Sequence, residues 1–141
     1  MQVLGVGNSA MGPMGLLIDV EERFVLVMFL APCQAYAIYS NEQSLDQAAD
    51  ETHALLCRLV TAGGAHMTYA GILSLEDGIF LGEMGLSSRG RTIPVDARPS
   101  DAVALSLCAD APIRVGQELL EEVGEDPEYF RDLMDAWHEG E

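Results

Sequence analysis

The chain has 141 residues, 49% of them apolar, and a formal net charge of −16; that length suits one domain with a real core and is too short for two. The charge disfavours non-specific grip on nucleic acid, which needs several cationic phosphate contacts. No apolar run approaches the ~20 residues of a membrane helix and no basic stretch precedes a hydrophobic one at the N-terminus, so a soluble, cytoplasmic protein without a membrane partner is expected.

Residues 2–6 read as a strand, followed by GNSAMGPMG, a loop whose glycines fit neither GxGxxG nor a phosphate-binding loop. GLLIDV and RFVLVMFL flank Glu21 and Glu22 and read as a hairpin of two largely buried strands. Pro32 opens a short helix through Tyr39, and SNEQSLDQAADE reads as a loop with one helical turn. Thr52 is the expected N-cap of THALLCRLVTA, which Gly63 and Gly64 end.

Strand AHMTYAGILSL turns at Glu76, Asp77 and Gly78 into IFLGEMGL, and Ser87 to Gly90 turn it into RTIPVDA, giving a three-stranded meander. Pro99 opens a second short helix to about Ala109. A short strand at 112–115, a helix at 117–123 and a last helix capped by Asp126 with Pro127 at its first position complete the chain. In that last helix Phe130, Leu133, Met134 and Trp137 form a stripe that belongs to a core or a subunit interface. Cys33, Cys57 and Cys108 show no CxxC spacing, so reduced, buried thiols are expected rather than a disulfide or zinc site.

All seven basic residues are arginine, against 23 acids. A lysine-free, acidic composition points to an arginine-biased or halophilic host; for a halophile, thermal unfolding should show greater stability in molar KCl than in dilute buffer, because salt screens self-repulsion.

PCQAYAI from Pro32 and PSDAVAL from Pro99 share the proline, the two alanines and the terminal aliphatic residue, and each follows a hairpin-like strand pair. Two related strand-strand-helix halves are expected, with Gln34 equivalent to Asp101. Helix geometry accounts for proline and alanines in both. It does not account for Arg98, which Asp96 and Asp101 bracket and which is either an ion-pair clamp on the turn or a guanidinium offered to phosphate.

VDARPSDAVAL followed by API closely resembles the signature of the bifunctional nuclease family, whose members are described as cleaving both DNA and RNA. LVMFLAPCQAYAI is similar to that family's strand ending in a Gly-x-x-Glu-Ala helix entrance, THALL to its Thr-His-Asp-Leu-Leu helix start, and LSLEDGIFLGEM to its Asp-Leu-x-Asp-Gly hairpin. The similarity spans roughly residues 1–123, leaving 124–141 as an amphipathic helix packed on the domain or at a subunit interface.

The resemblance implies an α+β fold, a compact single domain of bent, largely antiparallel sheet with packed helices, in a homo-oligomer. It implies a nuclease acting on DNA or RNA with Mg²⁺ or Mn²⁺ and no organic cofactor. His53, Asp96, Arg98 and Asp101 match family positions and are the candidate catalytic residues, with Asp96 and Asp101 as metal ligands, Arg98 for the phosphate and His53 as acid or base. Thr52 and Ser100 also match, whereas Ala31, Gln34 and Ala54 replace the family's glycine, glutamate and aspartate. Those two lost carboxylates favour an alternative, a non-catalytic oligomeric binding or regulatory module on the same fold.

Overall fold

The apolar runs fold into two open sheets in the computed structural model, which describes residues 1–9, 12–19, 21–42 and 52–139. The first sheet, in order β1-β2-β3, is antiparallel and holds β1 (Gln2–Ser9), β2 (Gly12–Ile18) and β3 (Val25–Phe29). The second has the order β6-β5-β4-β7 and holds β4 (His66–Glu76), β5 (Ile79–Ser88), β6 (Arg91–Ala97) and β7 (Ile113–Val115). Helices α1 (Pro32–Glu42), α2 (Thr52–Ala62) and α3 (Pro99–Ala109) pack between and beside the sheets, and α4 (Gln117–Val123) and α5 (Arg131–Glu139) follow. The domain is α+β, and among the described residues the one parallel pairing joins β7 to β4, Ala70 opposite Ile113. Among the described residues no helix is long and apolar enough to cross a membrane.

The continuous apolar run of β2 has a direct cause, burial on both faces. Met14, Leu16 and Ile18 join Val25 and Met134 in one cluster, while Leu17 joins Leu26 and Met28 in the main core. The main core continues through Ala37 and Ile38 of α1 and Ala102, Val103 and Ala104 of α3 into Ala70 and Ile72 of β4. The alanines recurring in PCQAYAI and PSDAVAL let α1 and α3 lie directly against each other, each helix following its own antiparallel strand pair, β2-β3 and β5-β6.

Several local expectations change. The segment read as a loop after residue 6 continues β1 to Ser9, which pairs with Gly12 at the start of β2; its small residues are taken up by the ladder, with residues 10 and 11 outside the described set. Helix α1 runs past Tyr39 to Glu42, and the rest of the polar run, 43–51, also lies outside the described residues. The final helix begins as a 3-10 turn, Pro127–Phe130, because the Asp126 side chain accepts the Glu128 N–H and tightens the first turn. The cysteines form no disulfide but are not buried: Cys33, in the first turn of α1, is exposed, and Cys57 and Cys108 are half-buried. Asp77 at φ 52° and Gly78 at φ 78° supply the left-handed pair that the β4–β5 hairpin needs.

The stripe on α5 is committed to the first sheet. Phe130, Leu133, Met134 and Trp137 cover the Met14–Leu16–Ile18 face, and the indole of Trp137 lies on the backbone of β1. A Cβ on Gly7 would stand 2.2 Å from that ring, so Gly7→Ala must displace the indole. The expected loss is about 1–3 kcal/mol, the usual range for overpacking, read by denaturant unfolding together with a red shift of native tryptophan fluorescence.

Candidate functional site

Two strand-to-helix junctions line one groove, and their local chemistry differs at two key positions, Ala31 against Arg98 and Gln34 against Asp101. At each, a proline at the first helical position fixes φ and needs no N–H partner. At the first junction Gln34, three residues into α1, reaches back so that its Oε1 accepts the Ala31 N–H at 2.8 Å, half of a capping box. At the second, Arg98 is extended at φ −63° and ψ 141° with no side-chain cap bond, and Asp101 stands in the place of Gln34. Asp101 takes the Arg98 side chain instead, accepting from Nε at 2.6 Å and from Nη2 at 3.1 Å. This fork-on-carboxylate geometry is the strong form of the ion pair.

Helix α2 supplies the third member. His53 packs toward α3, and its Nε2 lies 2.7 Å from Asp101 Oδ1. An ionised carboxylate only accepts, so Nε2 carries the shared proton and the tautomer is set. The histidine and aspartate side chains are 15% and 26% exposed, the Arg98 side chain 65%. Burial alone pushes the Asp101 carboxyl upward, but the hydrogen bonds from Arg98 and His53 outweigh it and hold the group below the ordinary aspartate value. The bond to Asp101 raises Arg98 further, so its cation persists at every working pH.

Arg98 lines a groove of about 810 Å³. It is lined by Met28, Phe29, Leu30 and Gln34 from the first junction, by Asp96 to Ser100 from the second, and by Leu73 with residues 78–82 of the β4–β5 hairpin. The sequence candidates therefore fall into two layers. Arg98 and Asp96 line the groove; His53 and Asp101 do not, and stand behind Arg98. Gln34, in the place of the family's glutamate, faces the groove, whereas Ala54, in the place of its aspartate, is buried. Phe29 was legible only as a member of a buried strand; its position at the β3 terminus, beyond the covering of α1, leaves it 58% exposed.

Asp96 and Asp101 do not fit a shared metal ion. The Asp101 oxygens are occupied by Arg98 and His53, and Asp96 lies across the ladder from Glu83 on β5 instead. Among the described residues no three His, Cys, Asp or Glu side chains converge in a metal-holding group.

Residues 16–128 match the family model described as bifunctional nuclease domain, which takes in both junctions, α2 and the groove. The chain is also 30% identical over 112 residues, 79% of its length, to an uncharacterized protein found in two strains of Mycobacterium tuberculosis. The match spans 66% of those relatives' own length.

Proposed function

This chain belongs to the bifunctional nuclease domain family, and from that premise we propose that it hydrolyses phosphodiester bonds in DNA or RNA, with Arg98 as the cation that receives the phosphate. The observation that carries the reading is Arg98, a residue of the groove lining whose side chain is largely exposed while its guanidinium is held by Asp101. A cation held in place before substrate arrives stabilises charge developing on the phosphoryl oxygens without first being ordered. Asp101 is then a positioning residue. His53, bonded to the same carboxylate, fixes Asp101 in turn.

Divalent-metal dependence is part of the proposal in a reduced form. Asp96 is the carboxylate lining the groove, and Mg²⁺ is commonly held by one or two carboxylates together with substrate phosphate. An ion bound there would polarise the phosphoryl oxygens. Homo-oligomer formation and a cytoplasmic location belong to the same proposal.

The alternative, a binding or regulatory module, draws on one feature: the groove presents the Gln34 amide where the family has a carboxylate. Cleavage of labelled DNA and RNA in Mg²⁺, Mn²⁺ or EDTA separates the two. The nuclease reading expects wild-type cleavage lost in EDTA and slowed about 100-fold or more in Arg98→Ala, the scale of losing one preorganised donor. Cleavage equal in both proteins comes from a contaminant. An inactive wild type with an active Gln34→Glu variant establishes a lapsed enzyme.

A further inference from the structure

We infer that the groove beside Arg98 is a nucleobase subsite in which an unpaired base stacks on Phe29, so that the domain takes single strands, loops or frayed ends rather than duplex; this rests on the nuclease reading and deepens it. The argument begins with charge. Arg98 is the one basic residue among the described residues lining the groove, on a chain of net charge −16. One phosphate contact to a single strand corresponds to a slope of about −0.7 in log K against log salt, a weak hold at physiological ionic strength. Affinity has to come from elsewhere in the groove.

The rest of the wall has the chemistry to provide it. Phe29, Leu73, Ile79 and Leu81 line the groove and are 58%, 50%, 66% and 40% exposed. Large apolar side chains left in water around a fixed cation match a ligand that is anionic at one end and flat and apolar at the other, which describes a nucleotide. Stacking on an aromatic ring is tolerant of base identity and is worth about 5- to 150-fold in affinity per base. In a duplex each base face is covered by its neighbours, so only an unpaired base reaches Phe29. Gln34, with its Oε1 on the Ala31 N–H and its amide NH₂ left over, and the Asp96 carboxylate add polar groups to the lining, for the sugar hydroxyls.

The test is fluorescence anisotropy on the full chain, in EDTA to hold off cleavage, with three labelled probes: a short oligothymidylate, an abasic strand of the same length, and the thymidylate–adenylate duplex. The oligothymidylate is expected to bind about ten-fold tighter or more than either other probe. Phe29→Ala should bring it to the abasic level with its salt slope unchanged, Phe29→Trp should preserve it, and Arg98→Ala should flatten the slope. Equal binding of abasic and base-bearing strands by wild type, or an unchanged Phe29→Ala, overturns the base subsite and leaves the phosphate role of Arg98 standing. Failure to bind any strand, together with failure to cleave, removes both. Sedimentation in parallel covers the other occupant: if Phe29→Ala converts a wild-type oligomer to monomer without changing strand affinity, the apolar rim is an interface between copies and the inference falls.

Discussion

Asp101→Ala is expected to slow cleavage about as deeply as Arg98→Ala, on the order of 100-fold, although Asp101 does not line the groove. The reason is geometric. Arg98 is mostly in solvent, and the bonds recorded for its side chain are the two to Asp101, at 2.6 and 3.1 Å. Without them the guanidinium samples many rotamers, and its ordering is charged to the transition state. Because the two residues act as one unit, the double variant Arg98→Ala/Asp101→Ala should be no slower than either single variant.

That non-additivity is the readout a merely structural aspartate would not give. Helix α3 keeps Pro99 in every variant, and the stability cost of Asp101→Ala should stay near ~1–3 kcal/mol, the usual worth of hydrogen bonds to a charged group. Asp101→Asn retains an acceptor oxygen but not the charge and should fall between wild type and alanine. Asp101→Ala cleaving at the wild-type rate, beside a slow Arg98→Ala, would reduce Asp101 to an acid at a helix N-terminus.

What the sequence revealed depended on how local the determining physics is. Pro99 with its alanine run marks the start of α3 without outside information, and so does Pro32 for α1, because fixed φ and close helix packing are properties of a few adjacent residues. The groove is different in kind. It joins residues 28–34 to 96–100 across the hairpin of β4 and β5, and no spacing in a single sequence reports that juxtaposition. His53 and Asp101 stand 48 positions apart, so each was legible as a candidate while their contact was not. Strand β7 was legible as a strand, but its parallel pairing with β4 depends on how α3 crosses over.

Residue patterns also misled where a face is only partly covered. Phe29 closes an apolar strand and reads as core, yet α1 leaves it in solvent. Gly7 reads as a loop residue, in a segment that is in fact strand; its missing side chain makes room for Trp137, more than a hundred positions later in the chain. The asymmetry between Gln34 and Asp101 was visible in the sequence, and the structure gives it a physical meaning: the longer side chain caps its own helix backbone, and the shorter one binds the neighbouring arginine.

The largest expected loss of stability from a single side chain lies away from the groove, at Asp19 in the β2–β3 connection. Asp19 is 6% exposed, and its Oδ1 accepts two backbone N–H groups, from Arg23 at 2.6 Å and Phe24 at 2.9 Å. These bonds hold a turn in which Glu22 sits at φ 56°, a conformation L-residues adopt reluctantly. Asp19→Ala strands both donors and should cost about 3 kcal/mol at neutral pH, from roughly 1–3 kcal/mol for each unpaired group. Asp19→Asn keeps an acceptor but not the charge and should cost about 1 kcal/mol. Burial alone would raise the Asp19 carboxyl, but the Phe24 and Arg23 N–H groups and the Arg23 side chain outweigh it, and the group lies below its ordinary value. A lowered folded-state pKa means that the charge-dependent stabilisation is complete above the unfolded value of about 3.9 and is lost as pH falls through the folded one. Denaturant unfolding of wild type and Asp19→Asn should therefore differ at neutral pH and converge in acid. A gap that persists unchanged below the folded pKa would mean the carboxylate's charge contributes nothing and the turn is held by its shape alone.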